Sequence, residues 1–379
     1  MLRTSLGHLT LDTCIYNASG PRTGSTDALA KIASSAAGAV LAKSATVDEQ
    51  SGNDLPRTWQ ADKVASLNSE GLPNKGIGYY LARDAIASAK GKPYLVSLSG
   101  HNLADNLRML SEAVATDGVD GIELNLACPN VIGHPIIAYD FDQLRDVLTA
   151  VQAHPGLAAS KKLFGIKLPP YFDGPHFEKA AAIINDFSCV HFVASINTIG
   201  NALVIDTEAE MPAIRPKNGF GGLSGPAVKY TALANVKKMR DLLHQRIAVV
   251  GVGGIESGED VFNMLLCGAQ AVQIGTCHWI EGPKCFDRIA SELEAILRRK
   301  GYANVDAVRG QLKEWSKEGA AKSRAARTAT APSAATTTTT TTTSSSSGMD
   351  PSLLRLVIVG LLAVILGLLS EKYALTKAS

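Results

Sequence analysis

The sequence predicts a (β/α)8 barrel, the TIM-barrel arrangement of the α/β class, and three observations carry that prediction. Eight short apolar runs recur within the first 316 residues, helix-like stretches separate them, and polar residues or glycines stand at their C-terminal ends. The runs are Cys14–Asn17, Ala39–Lys43, Tyr94–Ser99, Gly121–Asn125, Leu163–Lys167, His191–Asn197, Ile247–Gly251 and Ala271–Thr276. Helices are expected at Asn102–Thr116, Phe141–Ala153, Phe177–Phe187, Tyr230–His244 and Gly258–Cys267. Ahead of the first run, M-L-R-T-S-L-G-H-L-T-L reads as a small hairpin turning at Gly7-His8, too polar for a signal peptide. Two excursions, Thr46–Tyr80 and Ile199–Gly225, interrupt the repeat and are expected to cover the active face.

Bulk properties narrow the function. A formal net charge of +2 is too balanced to suggest a nucleic-acid partner. The six cysteines show no C-x-x-C pair and no zinc-type spacing, which fits a reducing compartment and no metal site.

The C-terminus is different in kind. Residues 317–352 are rich in Ala, Thr and Ser, include an unbroken Thr336–Thr343 run, and are expected to be a disordered linker. Residues 353–369, L-L-R-L-V-I-V-G-L-L-A-V-I-L-G-L-L, then read as a membrane-spanning tail anchor with a short 370–379 tail. At about 1.5 Å per residue the stretch would reach roughly 25 Å. Lys317, Lys322, Arg324 and Arg327 precede it, so the catalytic part is expected in the cytosol. The flanking Lys372 and Lys377 suit the mitochondrial outer membrane or the endoplasmic reticulum.

In a barrel the strand ends converge on one mouth, where the active site sits. Those ends carry Asn17 and Ser19, Lys43 and Ser44, Asn125, Lys167, Asn197 and Thr198, Gly253 and Gly254, and Gly275 and Thr276. Two lysines ending buried-looking strands are hard to explain by packing, because an uncompensated buried ammonium is costly. They imply an anionic or electron-rich ligand. The glycine-rich turns after the last two strands supply backbone N–H groups suited to a phosphate. Gly251-Val-Gly253 lacks the full dinucleotide-fold spacing, so the barrel phosphate site fits better. Phosphate at one end and a cation at the other is what FMN needs, with another phosphate ligand as the alternative.

Cys128 follows the fourth strand in N-L-A-C-P-N, and Pro129, Gly133 and Pro135 keep the next residues out of regular structure. Most cysteines are buried and inert, the expected state of Cys14, Cys189 and Cys267. Cys128 has a different setting, between Asn125 and Asn130 at a strand end. Without a neighbouring histidine it is a poor hydrolase nucleophile, but a thiol can serve as general base for an acidic C–H.

N-L-A-C-P-N, Asn17-Ala-Ser-Gly20, Lys43-Ser-Ala-Thr46, Asn68–Asn74, Ile166–Phe172, Asn197–Gly200, Pro216–Gly222 and Leu265–Ala269 occur in an order that resembles class 1A dihydroorotate dehydrogenase. The resemblance runs over residues 1–316. It implies a homodimeric FMN barrel that oxidises (S)-dihydroorotate to orotate in pyrimidine (UMP) synthesis, with fumarate reduced to succinate. By resemblance, Cys128 takes the C5 proton as hydride leaves C6 for the flavin. Asn68, Asn125, Asn130, Asn197, Thr198, Lys43 and the backbone of Gly71-Leu72 would hold the substrate. Ala18, Ser19, Gly20, Lys43, Ser44, Asn125, Lys167, Gly225, Gly253, Gly254, Gly275 and Thr276 would line the flavin. Four positions depart from the family pattern: Glu70 replaces a methionine, Ala127 and Thr198 replace serines, and Ser224 replaces a glycine. The C-terminal tail is a further departure.

Four readings compete. The tail could tie the same oxidation to membrane quinone, but that class uses a serine base and an N-terminal helical extension. An NAD-linked form would need an iron–sulfur partner. A non-catalytic, membrane-tethered flavin barrel would have no reason to keep Cys128, both lysines and four asparagines. A hydroxyacid-oxidising barrel would place a histidine at a strand end, whereas His191 begins its strand.

Overall fold

The computed structural model describes residues 1–61, 63–127 and 136–330, which divide into two units, Met1–Lys313 and a second beginning at Glu314. In the first unit the eight apolar runs become eight parallel strands: Ile15–Asn17, Val40–Leu41, Tyr94–Leu98, Gly121–Asn125, Leu163–Leu168, Phe192–Ser195, Ala248–Val252 and Ala271–Ile274. We number them as barrel strands 1 to 8. From strand 2 to strand 8 each pairs with the next in chain order, and strand 8 returns to strand 1. Strand 2 is only two residues long and does not pair with strand 1 by a backbone ladder. A side chain closes that seam instead. The Asn17 amide donates to Leu41 O at 2.6 Å and accepts from Leu41 N at 3.0 Å, and Gly38 N donates to Ile15 O at 2.8 Å.

Leu6, Leu11, Tyr16, Leu41, Leu95, Leu163, Phe192 and Val250 fill the barrel interior. The N-terminal hairpin, Thr4–Leu6 against Leu9–Leu11, supplies two of them and turns through Gly7 at φ +57°. A Cβ at Gly7 would stand 2.5 Å from Leu163 Cδ1, so the turn needs glycine twice over. A second, larger core lies between strands and helices.

The helices begin where short polar side chains can satisfy the first free N–H groups. Asn102 caps Leu103–Ala115, Asp140 caps Phe141–Gln152, and Ser257 with Asp260 forms a capping box on Gly258–Leu266. The helix expected from Phe177 begins earlier, at Gly174, because Asp173 caps it and Pro175 is tolerated in its first turn.

The two excursions join each other. Ile199–Leu203, Phe220–Ser224, Ala65–Asn68 and Thr58–Ala61 form one four-stranded antiparallel sheet, with Gly222 opposite Asn68 and Ser224 opposite Ser66. Their separation in sequence hid this pairing from any local pattern.

The second unit corrects the C-terminal expectation. Lys317–Thr330, expected to be disordered, is an α-helix, and Ser316 Oγ accepts from Gly319 N at 3.0 Å at its start. Ala, Lys and Arg are strong helix formers, so a composition with nothing to bury does not by itself exclude local helix. Residues 353–369 lie outside the described residues. Among the described residues no helix is long and apolar enough to cross a membrane. No described helix therefore supports the expected tail anchor or membrane location, and neither is carried forward.

Candidate active site

The ends of the barrel strands and the two excursions enclose a cavity of about 1210 Å³, counting its open mouth. The cavity brings together Ala18, Ser19, Gly20, Lys43, Ser44, Asn68, Leu72, Asn125, Lys167, Asn197, Thr198, Gly225, Gly253, Gly254, Gly275 and Thr276. Gly71 stands between two lining residues without lining the cavity itself. Cys128 and Asn130 lie outside the described residues. Flanking that stretch, Leu126 N donates to Lys167 O, and Ala138 N donates to Leu126 O.

Both lysines are buried. Lys167 is paired in register with Asn125 and sends its Nζ to Gln273 Oε1 at 3.0 Å. The Gln273 amide donates in turn to Glu123 Oε2 at 2.6 Å and to the Tyr16 hydroxyl at 3.2 Å. Burial pushes the Lys167 ammonium below its usual range, and the Glu123 carboxylate draws it back up. Beside Lys43, hydroxyls run in a chain: Ser19 Oγ to Ser44 Oγ at 3.0 Å, then Ser44 Oγ to Ser97 Oγ at 2.9 Å.

The asparagines orient one another. Asn125 Oδ1 accepts from Ala127 N and from Asn197 Nδ2, at 3.1 and 3.2 Å. Its oxygen is thus engaged by protein, and the group it can offer a ligand is its NH2 donor. Asn197 Nδ2 also holds Ala127 O at 3.1 Å, while its oxygen takes Thr198 N at 2.9 Å. Asn68 reaches across the antiparallel sheet to Gly222 O at 3.5 Å. A Cβ on Gly222 would collide with the Thr198 side chain, so glycine there keeps the threonine in place. Opposite the amides, Gly253 and Gly254 adopt φ +126° and +69°, and Gly225 adopts +77°.

A family model for dihydroorotate dehydrogenase matches residues 1–297. The chain belongs to the dihydroorotate dehydrogenase family. It is 42% identical over 316 residues to dihydroorotate dehydrogenase A (fumarate) of Lactococcus lactis, covering 83% of this chain and 99% of that one. It is 44% identical over 315 residues to dihydroorotate dehydrogenase (fumarate) of Saccharomyces cerevisiae, covering 82% and 98%. Among solved structures, a DHODH of Eimeria tenella in complex with ferulenol aligns with a TM-score of 0.68 at 22% identity, covering 83% and 89%, a likeness of fold. The family accounts for the barrel and lends no support to a membrane anchor. The expected homodimer and membrane contact find no support in fold or family, and both are withdrawn.

For a dihydroorotate dehydrogenase the cavity fits FMN. Cβ atoms placed on Gly20 or Gly275 would find their nearest neighbour 3.8 Å away, so the backbone at both glycines can be approached by a ligand group. Ser66 Oγ and Thr276 Oγ1, 3.1 Å apart, add hydroxyls there. Lys43 and Lys167 line the same cavity. Thr198 Oγ1 is buried without a hydrogen-bond partner among the described residues, an orphan that a polar ligand would satisfy. No group of three or more His, Cys, Asp or Glu able to hold a metal occurs among the described residues.

Glu70, one of the departures noted from the sequence, lines the cavity but is paired: Arg57 Nε lies 3.0 Å from its Oε2. Arg57 is itself held by Ser51 O and Asn53 O, at 2.8 and 3.0 Å. Substituting Arg57→Leu should release an uncompensated negative charge beside an anionic substrate. The KM for dihydroorotate is then expected to rise about tenfold, some 1.4 kcal/mol, with Glu70→Gln in the same chain restoring it. A double variant as weak as the single one would show that the effect is not the freed charge.

Two expectations need adjustment. Asn17, placed by sequence at the mouth, has its amide committed to the barrel seam. Glu123 and Gln273, by contrast, line the cavity and were not singled out from sequence. The signal was present: Glu123 and Asn125 alternate on strand 4, as do Gln273 and Gly275 after strand 8, so each points inward with a site residue.

Proposed function

We infer that the protein oxidises (S)-dihydroorotate to orotate in pyrimidine biosynthesis, with FMN as its redox cofactor and fumarate as the final acceptor. The convergence of two buried lysines, facing amides and a glycine nest in one cavity is the observation that supports this best. When bound, FMN would supply the two-electron acceptor for the hydride that leaves C6, and fumarate would be the oxidant that regenerates it. Ala18, Ser19, Gly20, Ser44, Gly225, Gly253, Gly254, Gly275 and Thr276 are suited to hold it, with Lys43 and Lys167 at its ring end.

The chain's own residues do the rest. Asn68, Asn125, Asn130 and Asn197 meet the alternating donors and acceptors of the pyrimidine edge, which uncharged amides can match on both sides. Thr198, with its buried hydroxyl, and the backbone at Gly71-Leu72 complete the cradle. Lys43 meets the substrate carboxylate. Cys128 removes the C5 proton.

The test is anaerobic. Dihydroorotate added to the full-length flavoprotein should bleach the flavin absorbance, and fumarate should restore it, while quinone and NAD do not. No bleaching would overturn the substrate; recovery with quinone alone would overturn the acceptor.

A further inference from the structure

We propose that Glu123 is a positioning residue for this reaction: acting through Gln273, it holds Lys167 as a cation at the floor of the cavity. The inference rests on the FMN reading given above. Its geometry is independent of it. Three strands contribute one side chain each, at 3.0 Å from lysine to amide and 2.6 Å from amide to carboxylate. Glu123 and Gln273 are each only 1% exposed and Lys167 only 6%, so solvent screens these charges little and each depends on protein partners. The two charges dictate the amide's orientation, oxygen toward the ammonium and NH2 toward the carboxylate. The Tyr16 hydroxyl takes a second Gln273 N–H, which stiffens the relay from below.

The arrangement differs from a direct ion pair in a way that suits a cofactor site. A carboxylate in contact with Lys167 would neutralise it and turn its donors downward. With an amide between them, Lys167 spends one of its three donors on Gln273 and keeps its charge directed at the ring end of the cavity. A cation there favours the electron-rich reduced ring over the oxidised one. Burial alone would drive the ammonium toward its neutral form; the field of Glu123 opposes that. Among the described residues the other ionisable groups facing the cavity are Lys43, Glu70, Glu256 and Cys277, and Glu70 is already paired with Arg57.

The experiment measures the midpoint potential of the bound flavin from pH 6.5 to 9.5 by equilibration with redox dyes, in wild type, Glu123→Gln and Glu123→Asp. No dihydroorotate is present, so an error in the assigned substrate would leave this readout intact. Glu123→Gln keeps an acceptor for Gln273 and removes only the charge. Its potential should fall away from wild type as pH rises and Lys167 loses its proton, by about tenfold in the two-electron equilibrium, or ~30 mV. Glu123→Asp should restore the wild-type slope. Parallel profiles for wild type and Glu123→Gln would overturn the proposal. If Glu123→Gln does not fold or retain flavin, Gln273→Met, which cuts the relay, must show the same steepening; a wild-type slope there would overturn it equally.

Discussion

Cys128→Ser is expected to bind orotate with near-normal affinity while reduction of its flavin by dihydroorotate slows about 10²–10⁴-fold at neutral pH. An ordinary thiol titrates near 8.5, within reach of neutral conditions, whereas an aliphatic hydroxyl does not ionise in that range. The other five thiols cannot stand in. Burial pushes Cys14 up to about 12 and Cys189 up to about 11, and it raises Cys267 as well. Cys277 is raised too, first by its hydrogen bond with Cys285, itself fully buried. Its sequence neighbour Ala127 is held by Asn125 and Asn197, two residues that line the cavity. Stopped-flow reduction under anaerobic conditions gives the rate, and orotate titration of the oxidised flavin gives the affinity. A rate within threefold of wild type would remove Cys128 from the role of base.

The second large effect concerns stability. Asn17→Leu, nearly isosteric, should destabilise the protein by about 3–5 kcal/mol, a large share of the ~5–15 kcal/mol typical of a folded chain. It removes both side-chain bonds across the seam between barrel strands 1 and 2 and leaves Leu41 N–H and C=O unmet in a fully buried place. Strand 2 is too short to rebuild the closure by backbone pairing. Flavin should also be lost more readily, since Ala18, Ser19 and Gly20 follow directly on Asn17. Denaturant unfolding checks the first effect and flavin release the second. A loss below about 1 kcal/mol would mean that the seam closes without the amide.

Much of the fold could be read locally. A strand such as Gly121–Asn125 is apolar, bounded by polar turns and followed by a cap-and-helix pattern, and its limits match those read from sequence. Helices with an Asn, Asp or Ser cap announce themselves in the same way. What failed was non-local or compositional. The antiparallel sheet joins segments such as Ala65–Asn68 and Phe220–Ser224, whose partners lie some 150 residues apart in the chain. Helix Lys317–Thr330 was missed because a segment with no core to bury was equated with one lacking structure.

The sequence by itself determined the barrel's order of strands and helices, the family, and the set of lysines, asparagines and glycines from which the site is made. Those follow from hydrophobic runs, caps and motifs, all properties of neighbouring residues. Tertiary structure alone decided what each polar side chain does. It turned Asn17 from the mouth to the seam, paired Glu70 with Arg57, and brought Glu123 and Gln273 beneath Lys167. The reason is physical. A buried polar group takes its role from the partner that satisfies it, and these partners arrive from strands far away in the chain.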